Sequence, residues 1–219
     1  HDVSGLTKDD VKKLKLKWSF AFPNALRARS QPTISMGAVF VGSQDGRVYA
    51  FDLETGCTKW VFSASAEVRT GIVLSAPSDQ VSEKNPPLAF FGDLLGRAYA
   101  VNALNGKLVW SIRTDDHPST TLTGTPAYYQ GVLFIPISSL EVVPAADPNY
   151  RCCSFRGSLL AVNGETGATI WRHYAIPDKP KIIGKTKLGT DVIAPSGAPI
   201  WTSPTVDPKR NLLYVGTGE

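Results

Sequence analysis

The sequence predicts an all-β fold, a β-propeller of four-stranded antiparallel blades, and three observations predict it. A stretch of fifteen residues, Gly-Arg-Val-Tyr-Ala-Phe-Asp-Leu-Glu-Thr-Gly-Cys-Thr-Lys-Trp at 46–60, recurs at 96–110 and 157–171, with Ala50/Ala100/Ala161, Asp52/Asn102/Asn163 and Gly56/Gly106/Gly167 in register. Each copy reads as a β-hairpin: a run such as Val48-Tyr49-Ala50-Phe51 has strand composition, the Asx side chain caps the turn, and the glycine takes a positive φ. Each copy is preceded by two more strand-like runs, and a β unit repeating every 40–60 residues is the mark of a propeller blade.

The first strands are read at Gln31–Ile34, Thr70–Val73, Thr125–Tyr128 and Ser203–Val206, and the second at Val39–Val41, Leu88–Phe91, Val132–Ile135 and Leu213–Val215. The chain 1–219 is thus one partial propeller domain with repeats at about 28–62, 68–112, 122–173 and 200–219, three blades and the first half of a fourth. Trp60, Trp110 and Trp171 read as packing residues wedged between blades, and Trp18 as the outer-strand tryptophan of a preceding or closing blade. A propeller must close to cover its strand edges, so the chain is expected to be a fragment of a longer protein.

Composition is that of a globular protein, with 42% hydrophobic and 19% charged residues and a net charge of +4. The one basic run, Lys8, Lys12, Lys13, Lys15 and Lys17, stands beside Asp9 and Asp10 after Thr7. It reads as a capped, solvated short helix rather than a nucleic-acid patch, and no apolar run is long enough to span a membrane.

Two loops depart from the repeat. Ser138–Arg156 interrupts blade three and holds Glu141 and the adjacent pair Cys152-Cys153; His173–Ile200, rich in Lys, Pro and Gly, joins blades three and four. Strand alternation puts both over the same mouth of the channel, where functional loops on a rigid scaffold are expected.

Three residues before Pro32, Ile72, Pro126 and Pro204 stand Arg29, Arg69, Thr123 and Trp201, equivalent positions that the fold points toward this mouth. Ser138, Ser139 and Glu141 join them from blade three, and Thr217, Gly218 and Glu219 from blade four. Guanidiniums that grip carboxylates, hydroxyls, an indole face and carboxylates for a hard cation suit a flat polyanionic ligand. The bland alternative is that either arginine pairs with an inter-blade carboxylate, that Trp201 only packs and that the glutamates are solvated. Adjacent Cα atoms lie about 3.8 Å apart, below the usual disulfide range, so pairing Cys152 with Cys153 is seldom done for stability alone. The pair is nonetheless expected to be bonded, because free surface thiols are a liability in an oxidising compartment, which gives an extracytoplasmic setting. Cys57 reads as an isolated thiol; His1, His117 and His173 lack metal-ligand spacing, and no nucleophile elbow, phosphate loop or Cys-x-x-Cys-His motif is present.

Together these residues resemble the pyrroloquinoline quinone (PQQ)-dependent alcohol dehydrogenases, and most closely the polyvinyl-alcohol dehydrogenase-like branch. The carriers are Arg-Ala-Arg-Ser-Gln-Pro at 27–32, Glu-Val-Arg-Thr at 67–70, Cys-Cys-Ser-Phe-Arg-Gly at 152–157, Ile-Trp-Thr-Ser-Pro-Thr-Val-Asp-Pro-Lys-Arg at 200–210 and Tyr-Val-Gly-Thr-Gly at 214–218. The resemblance implies an eight-bladed propeller of PQQ-type repeats, of which about three and a half blades are present, with quinone and Ca²⁺ in the channel mouth. It implies that Trp201 stacks under the quinone, that Arg69 binds its carboxylates, and that Thr123 and Ser138 bond its rim, with Arg29, Cys152 and Cys153 in the same cofactor site. Glu141 and Glu219 become the metal ligands, although Glu219 stands where the family's best-known members carry asparagine. The implied chemistry is hydride transfer from an alcohol to the quinone, in the periplasm, with a c-type cytochrome as electron acceptor. The proton-abstracting aspartate is expected beyond residue 219, so no catalytic residue falls within this chain. A propeller of the same repeat type that scaffolds outer-membrane assembly needs the Gly-to-Trp repeat but has no use for Arg69, Glu141, paired cysteines and Trp201 on one face.

Overall fold

The computed structural model describes residues 5–75 and 86–218. A single helical turn, α1 (Lys8–Val11), opens it, and Thr7 and Asp10 cap one another reciprocally, as the Thr7-x-x-Asp10 spacing requires. Blade one is a sheet of β1 (Thr33–Ser35), β2 (Ala38–Gly42), β3 (Arg47–Asp52) and β4 (Thr58–Ser63) in sequential antiparallel order. Blade two repeats it with β5 (Val73–Leu74), β6 (Leu88–Gly92), β7 (Arg97–Asn102) and β8 (Leu108–Arg113). A two-residue strand, β9 (Thr120–Thr121), precedes blade three, which comprises β10 (Ala127–Tyr129), β11 (Val132–Ser139), β12 (Ser158–Asn163) and β13 (Thr169–Tyr174). A separate hairpin, β14 (Lys181–Lys185) with β15 (Asp191–Ala194), follows, and then β16 (Thr205–Asp207) paired with β17 (Leu212–Tyr214) begins a fourth blade.

The recurring stretch has one geometry three times over. Ala50 faces Trp60, Ala100 faces Trp110 and Ala161 faces Trp171, and the register shifts immediately after each alanine. Asp52, Asn102 and Asn163 accept backbone N–H bonds within the turn, and Gly56, Gly106 and Gly167 have φ of 73°, 72° and 72°. A side chain at such a φ is strained, so glycine recurs there.

Two apolar cores lie between blades rather than within them. Phe40, Val48, Ala50 and Trp60 of blade one meet Ala89, Phe91, Tyr99 and Val101 of blade two, and Phe90, Ala100 and Trp110 meet Leu133, Ile135, Leu160 and Val162. A sheet buried on both faces explains the continuous apolar runs Ala38–Gly42 and Leu88–Gly92.

Three expectations change. The first strands begin two to three residues later than read from the sequence, because the residues ahead of them reach their second strand through side-chain hydroxyls, Ser30 to Gly42 and Thr70 to Gly92, rather than through a backbone ladder. The segment 173–200 is not an irregular loop: its middle folds into the β14–β15 hairpin, whose strands are only partly buried or exposed and so carry no alternation to read. Trp171 is 40% exposed in the described residues, so the reading of a tryptophan wedged between blades is met at Trp60 and Trp110, each 8% exposed.

Candidate functional site

The site grows from how each blade is approached. Val68, Leu122 and Ile200 are buried plugs whose N–H groups bond to the end of the preceding blade's second strand, at Ser43 O (3.1 Å), Asp93 O (3.1 Å) and Ile137 O (3.0 Å). Val68 and Leu122 lie so close to Gly42 and Gly92 that a Cβ there would fall 2.5 Å from each side chain. Two residues on, Ser30, Thr70 and Thr202 accept the N–H of Gly42, Gly92 and Gly216 at 2.9, 3.1 and 2.8 Å. In blade three the matching residue is Gly124, because Pro136 has no N–H to satisfy and its ring would lie 2.9 Å from a Cβ. Between plug and clamp stand Arg69, Thr123 and Trp201, and before the Ser30 clamp Arg29, so a repeated backbone geometry carries all four equivalent positions. A hydroxyl directly after three of them is a signal that sequence reading passed over.

Only part of the expected set converges. A cavity of about 380 Å³ is lined by Glu141 and Ser139 from the end of β11, by Cys153 and Phe155, by Ser196, Gly197 and Pro199, and by Trp201. Trp201 is 54% exposed and lays its ring against Gly218, where a Cβ would sit 2.6 Å away. Ser138, next in sequence to the wall residue Ser139, and Thr123 each have a buried hydroxyl with no hydrogen-bond partner, as do Thr120 and Thr121. Arg69 is outside the cavity wall and is gripped by Glu67, with Nε–Oε1 of 2.9 Å and Nη2–Oε2 of 3.1 Å. Side chains two apart on an extended segment share a face, so Glu67-x-Arg69 was legible as a pair. Arg29 is exposed at the rim of blade one, and Glu219 lies outside the described residues.

The two loop elaborations are one body. Cys152 and Cys153 are disulfide-bonded through a cis peptide, and their segment runs parallel to 192–197. Ile193 N–H donates to Cys152 O at 2.7 Å, Cys153 N–H to Ile193 O at 3.2 Å, and Gly197 N–H to Phe155 O at 2.7 Å. Glu141, only 5% exposed, holds this body to blade three: its Oε1 accepts Ser154 N–H (2.9 Å) and the Tyr150 hydroxyl (3.1 Å), and its Oε2 accepts Phe155 N–H (2.9 Å). Burial first, and then the Glu141 charge, push the Tyr150 phenol above its ordinary pKa. His117 backs the carboxylate, with Nε2 at 3.4 Å from Oε1 and 3.1 Å from Ser154 Oγ, while Nδ1 accepts Ser119 N–H at 3.2 Å. None of this was visible in the sequence, where Glu141 and Ser154 stand thirteen residues apart with no motif between them.

A hard cation takes six to eight oxygen ligands. Among the described residues no three His, Cys, Asp or Glu side chains converge, and Glu141 is the single carboxylate of the cavity wall. The described residues therefore do not by themselves complete a calcium shell. Glu141→Gln is expected to lower stability by about 1–3 kcal/mol, because its amide turns an N–H toward a backbone donor, the part-buried Ser154 N–H or the buried Phe155 N–H. Denaturant melts should show the loss together with faster thiol reduction of the Cys152–Cys153 bond; a variant unchanged in both would show that the carboxylate does not hold this loop.

The family model described as Outer membrane protein assembly factor BamB, a model of the PQQ-type repeat, matches residues 10–147. A polyvinylalcohol dehydrogenase from a Pseudomonas species is 38% identical over 214 residues, covering 97% of this chain and 33% of the relative. The polyvinylalcohol dehydrogenase of Sphingopyxis sp. (strain 113P3) is 38% identical over 208 residues, 95% of this chain and 31% of the relative. The crystal structure of quinohemoprotein alcohol dehydrogenase from Comamonas testosteroni superposes with a TM-score of 0.72 at 23% identity, covering 96% of this chain and 32% of that one. This chain thus spans about a third of the length of the curated relatives it matches. With the repeat, the blades and the match agreeing, the chain belongs to the family of β-propellers built on the PQQ-type repeat.

Proposed function

We propose that this chain is part of a PQQ-dependent alcohol dehydrogenase and that the cavity beside Trp201 receives the quinone. The observation that carries the reading is the meeting of Glu141, Cys153 and Trp201, from three separate segments, on one cavity wall. An outward-facing indole, a disulfide beside it and two orphaned hydroxyls nearby are what a flat ligand with polar edges needs, and they do nothing for a scaffold. When bound, the quinone supplies a two-electron, hydride-accepting centre for an alcohol carbon. Trp201 gives the stacking face, Thr123 and Ser138 turn their hydroxyls to the rim, and Cys152–Cys153 closes one side. Arg69, held in orientation by Glu67 through Nε and Nη2, presents Nη1 to a ligand carboxylate. Arg29 adds positive charge at the rim. Ca²⁺ belongs to the proposal with Glu141 as one ligand and Glu219 as another, and because the described residues supply only the first, no step is derived through the ion. The base is placed on a later blade, the setting in the periplasm, and the electron acceptor is a c-type cytochrome.

One observation favours a second reading: the matching family model is described by an assembly factor. The two part on one measurement. Titrating the full-length protein with PQQ in calcium buffer should quench tryptophan fluorescence at one equivalent and confer alcohol-dependent reduction of an artificial dye. A protein that binds no quinone at any calcium concentration would support the scaffold.

A further inference from the structure

A second hollow of about 340 Å³ shares Phe155 with the candidate cavity and is otherwise walled by Asp115, His117, Arg156, Tyr174, Lys179 and Pro180. None of its polar side chains is used in the chemistry proposed above. Its charges do not cancel. The Asp115 carboxylate is taken up by Arg172, with Nη1–Oδ2 of 3.0 Å, and by the His117 backbone N–H, which donates to Oδ1 at 2.9 Å. The His117 ring nitrogens are occupied by Glu141, Ser154 and Ser119. Two cations remain. Arg156 donates through Nη1 alone, to the carbonyls of Ile176 (3.2 Å), Pro177 (2.9 Å) and Asp178 (3.4 Å), and its guanidinium carbon lies 3.9 Å over the Tyr174 ring. These neutral partners fix the plane of the group without neutralising it, and among the described residues its Nε–Nη2 edge has no acceptor. Lys179, exposed at the rim, has no ion-pair partner among the described residues either. Arg172, 5.7 Å from the same tyrosine ring, is the contrast, since Asp115, Ser158 Oγ and the Thr114 carbonyl satisfy it.

A guanidinium with a free fork and an already fixed plane loses little side-chain freedom when it takes an oxyanion in two parallel N–H bonds. We infer that this hollow is a binding site for a small organic anion, a carboxylate or a phosphate ester, with the anionic head on the Nε–Nη2 edge of Arg156, Lys179 as the second cation, and the body of the ligand against Phe155 and Pro180. Its volume is that of a small-molecule pocket. The site is separate from the candidate cavity but shares a wall with it. Glu141, a wall residue of that cavity, accepts the Ser154 and Phe155 N–H groups, and Arg156 bridges to Gly197, another of its wall residues. An anion held between Arg156 and Lys179 therefore ties the stretch leading into β14 to the disulfide segment.

Calorimetric titration of the full-length protein with sodium phosphate and with sodium propionate, against sodium chloride at matched ionic strength, tests this. One equivalent of at least one of the two anions should bind with a Kd of about 1 mM or tighter. Arg156→Lys keeps the charge but removes the fork, and should weaken binding at least about 10-fold. Lys179→Glu places a like charge at the rim and should weaken it at least about 5-fold. Because Arg156 also holds three backbone carbonyls, thermal melts accompany the titrations; where Arg156→Lys melts early, Lys179→Glu, a change at an exposed side chain, decides. Binding of phosphate alone or of propionate alone supports the site and names the head group. Binding of neither anion, or binding unchanged in Lys179→Glu, would overturn the inference. The titration needs no quinone, so its failure and that of the enzymatic reading are told apart.

Discussion

Gly157→Ala is expected to destabilise the protein by roughly 2–4 kcal/mol, more than Gly46→Ala or Gly96→Ala in the earlier copies of the same stretch. A Cβ at 157 would overlap the carbonyl oxygen of Ala198 and lie 2.5 Å from its carbon and 2.8 Å from Pro199 Cα. These are backbone atoms, and they cannot retreat, because Gly157 N–H donates to Gly197 O at 2.8 Å and Ile200 N–H to Ile137 O at 3.0 Å. Gly197 and Pro199 are also wall residues of the candidate cavity, so the substitution should loosen the site together with the fold. Denaturant unfolding and PQQ titration of the variant would report both. A variant that melts normally and binds quinone normally would show that the 196–200 segment is free to move away from blade three.

Trp201→Ala and Trp110→Ala should have opposite effects. Trp110 is 8% exposed, bonded to Gly164 O and packed on Gly167, so truncation leaves a cavity between blades two and three and costs about 3–5 kcal/mol. Trp201 is 54% exposed and touches little that the fold depends on, so its loss should shift stability by less than about 1 kcal/mol. Stacking of a flat ring on an aromatic side chain contributes about 1–3 kcal/mol, which sets the expected loss of quinone affinity at roughly 5- to 150-fold. Thermal melts and calcium-dependent PQQ titration of both variants decide between roles. Normal quinone binding by Trp201→Ala with an early melt would make Trp201 a packing residue and remove the main support for the enzymatic reading.

The contrast between these tryptophans is legible in the sequence, because outer-strand tryptophans recur at a fixed distance from a glycine and Trp201 stands outside that spacing. Short-range chemistry accounts for the rest of what was readable. Asx caps, positive-φ glycines and strand runs are decided within a few residues, so the hairpins, the blade order and the Thr7 cap follow from local preference alone. The equivalence of Arg29, Arg69, Thr123 and Trp201 was readable as well, since a repeat puts equal positions in equal places.

What those positions then do is decided by partners far away in the chain. By itself the sequence determined a propeller of recurring hairpins and the equivalence of four positions that precede the first strands. Tertiary structure decided that Glu141 spends its carboxylate on the Ser154 and Phe155 amides, that Glu67 holds Arg69, and that the disulfide segment lies along 192–197 as a cavity wall. Gly46, Gly96 and Gly157 show the difference most plainly. The sequence aligns all three; the first two need glycine for φ of 81° and 72°, a local demand to which packing against Ala66 and Thr120 is added, whereas Gly157 needs it only because a chain 41 residues later passes across its face. A backbone torsion is set by neighbours, but an approach of that kind exists only once the blade, the loop and the leading segment of the next blade have packed.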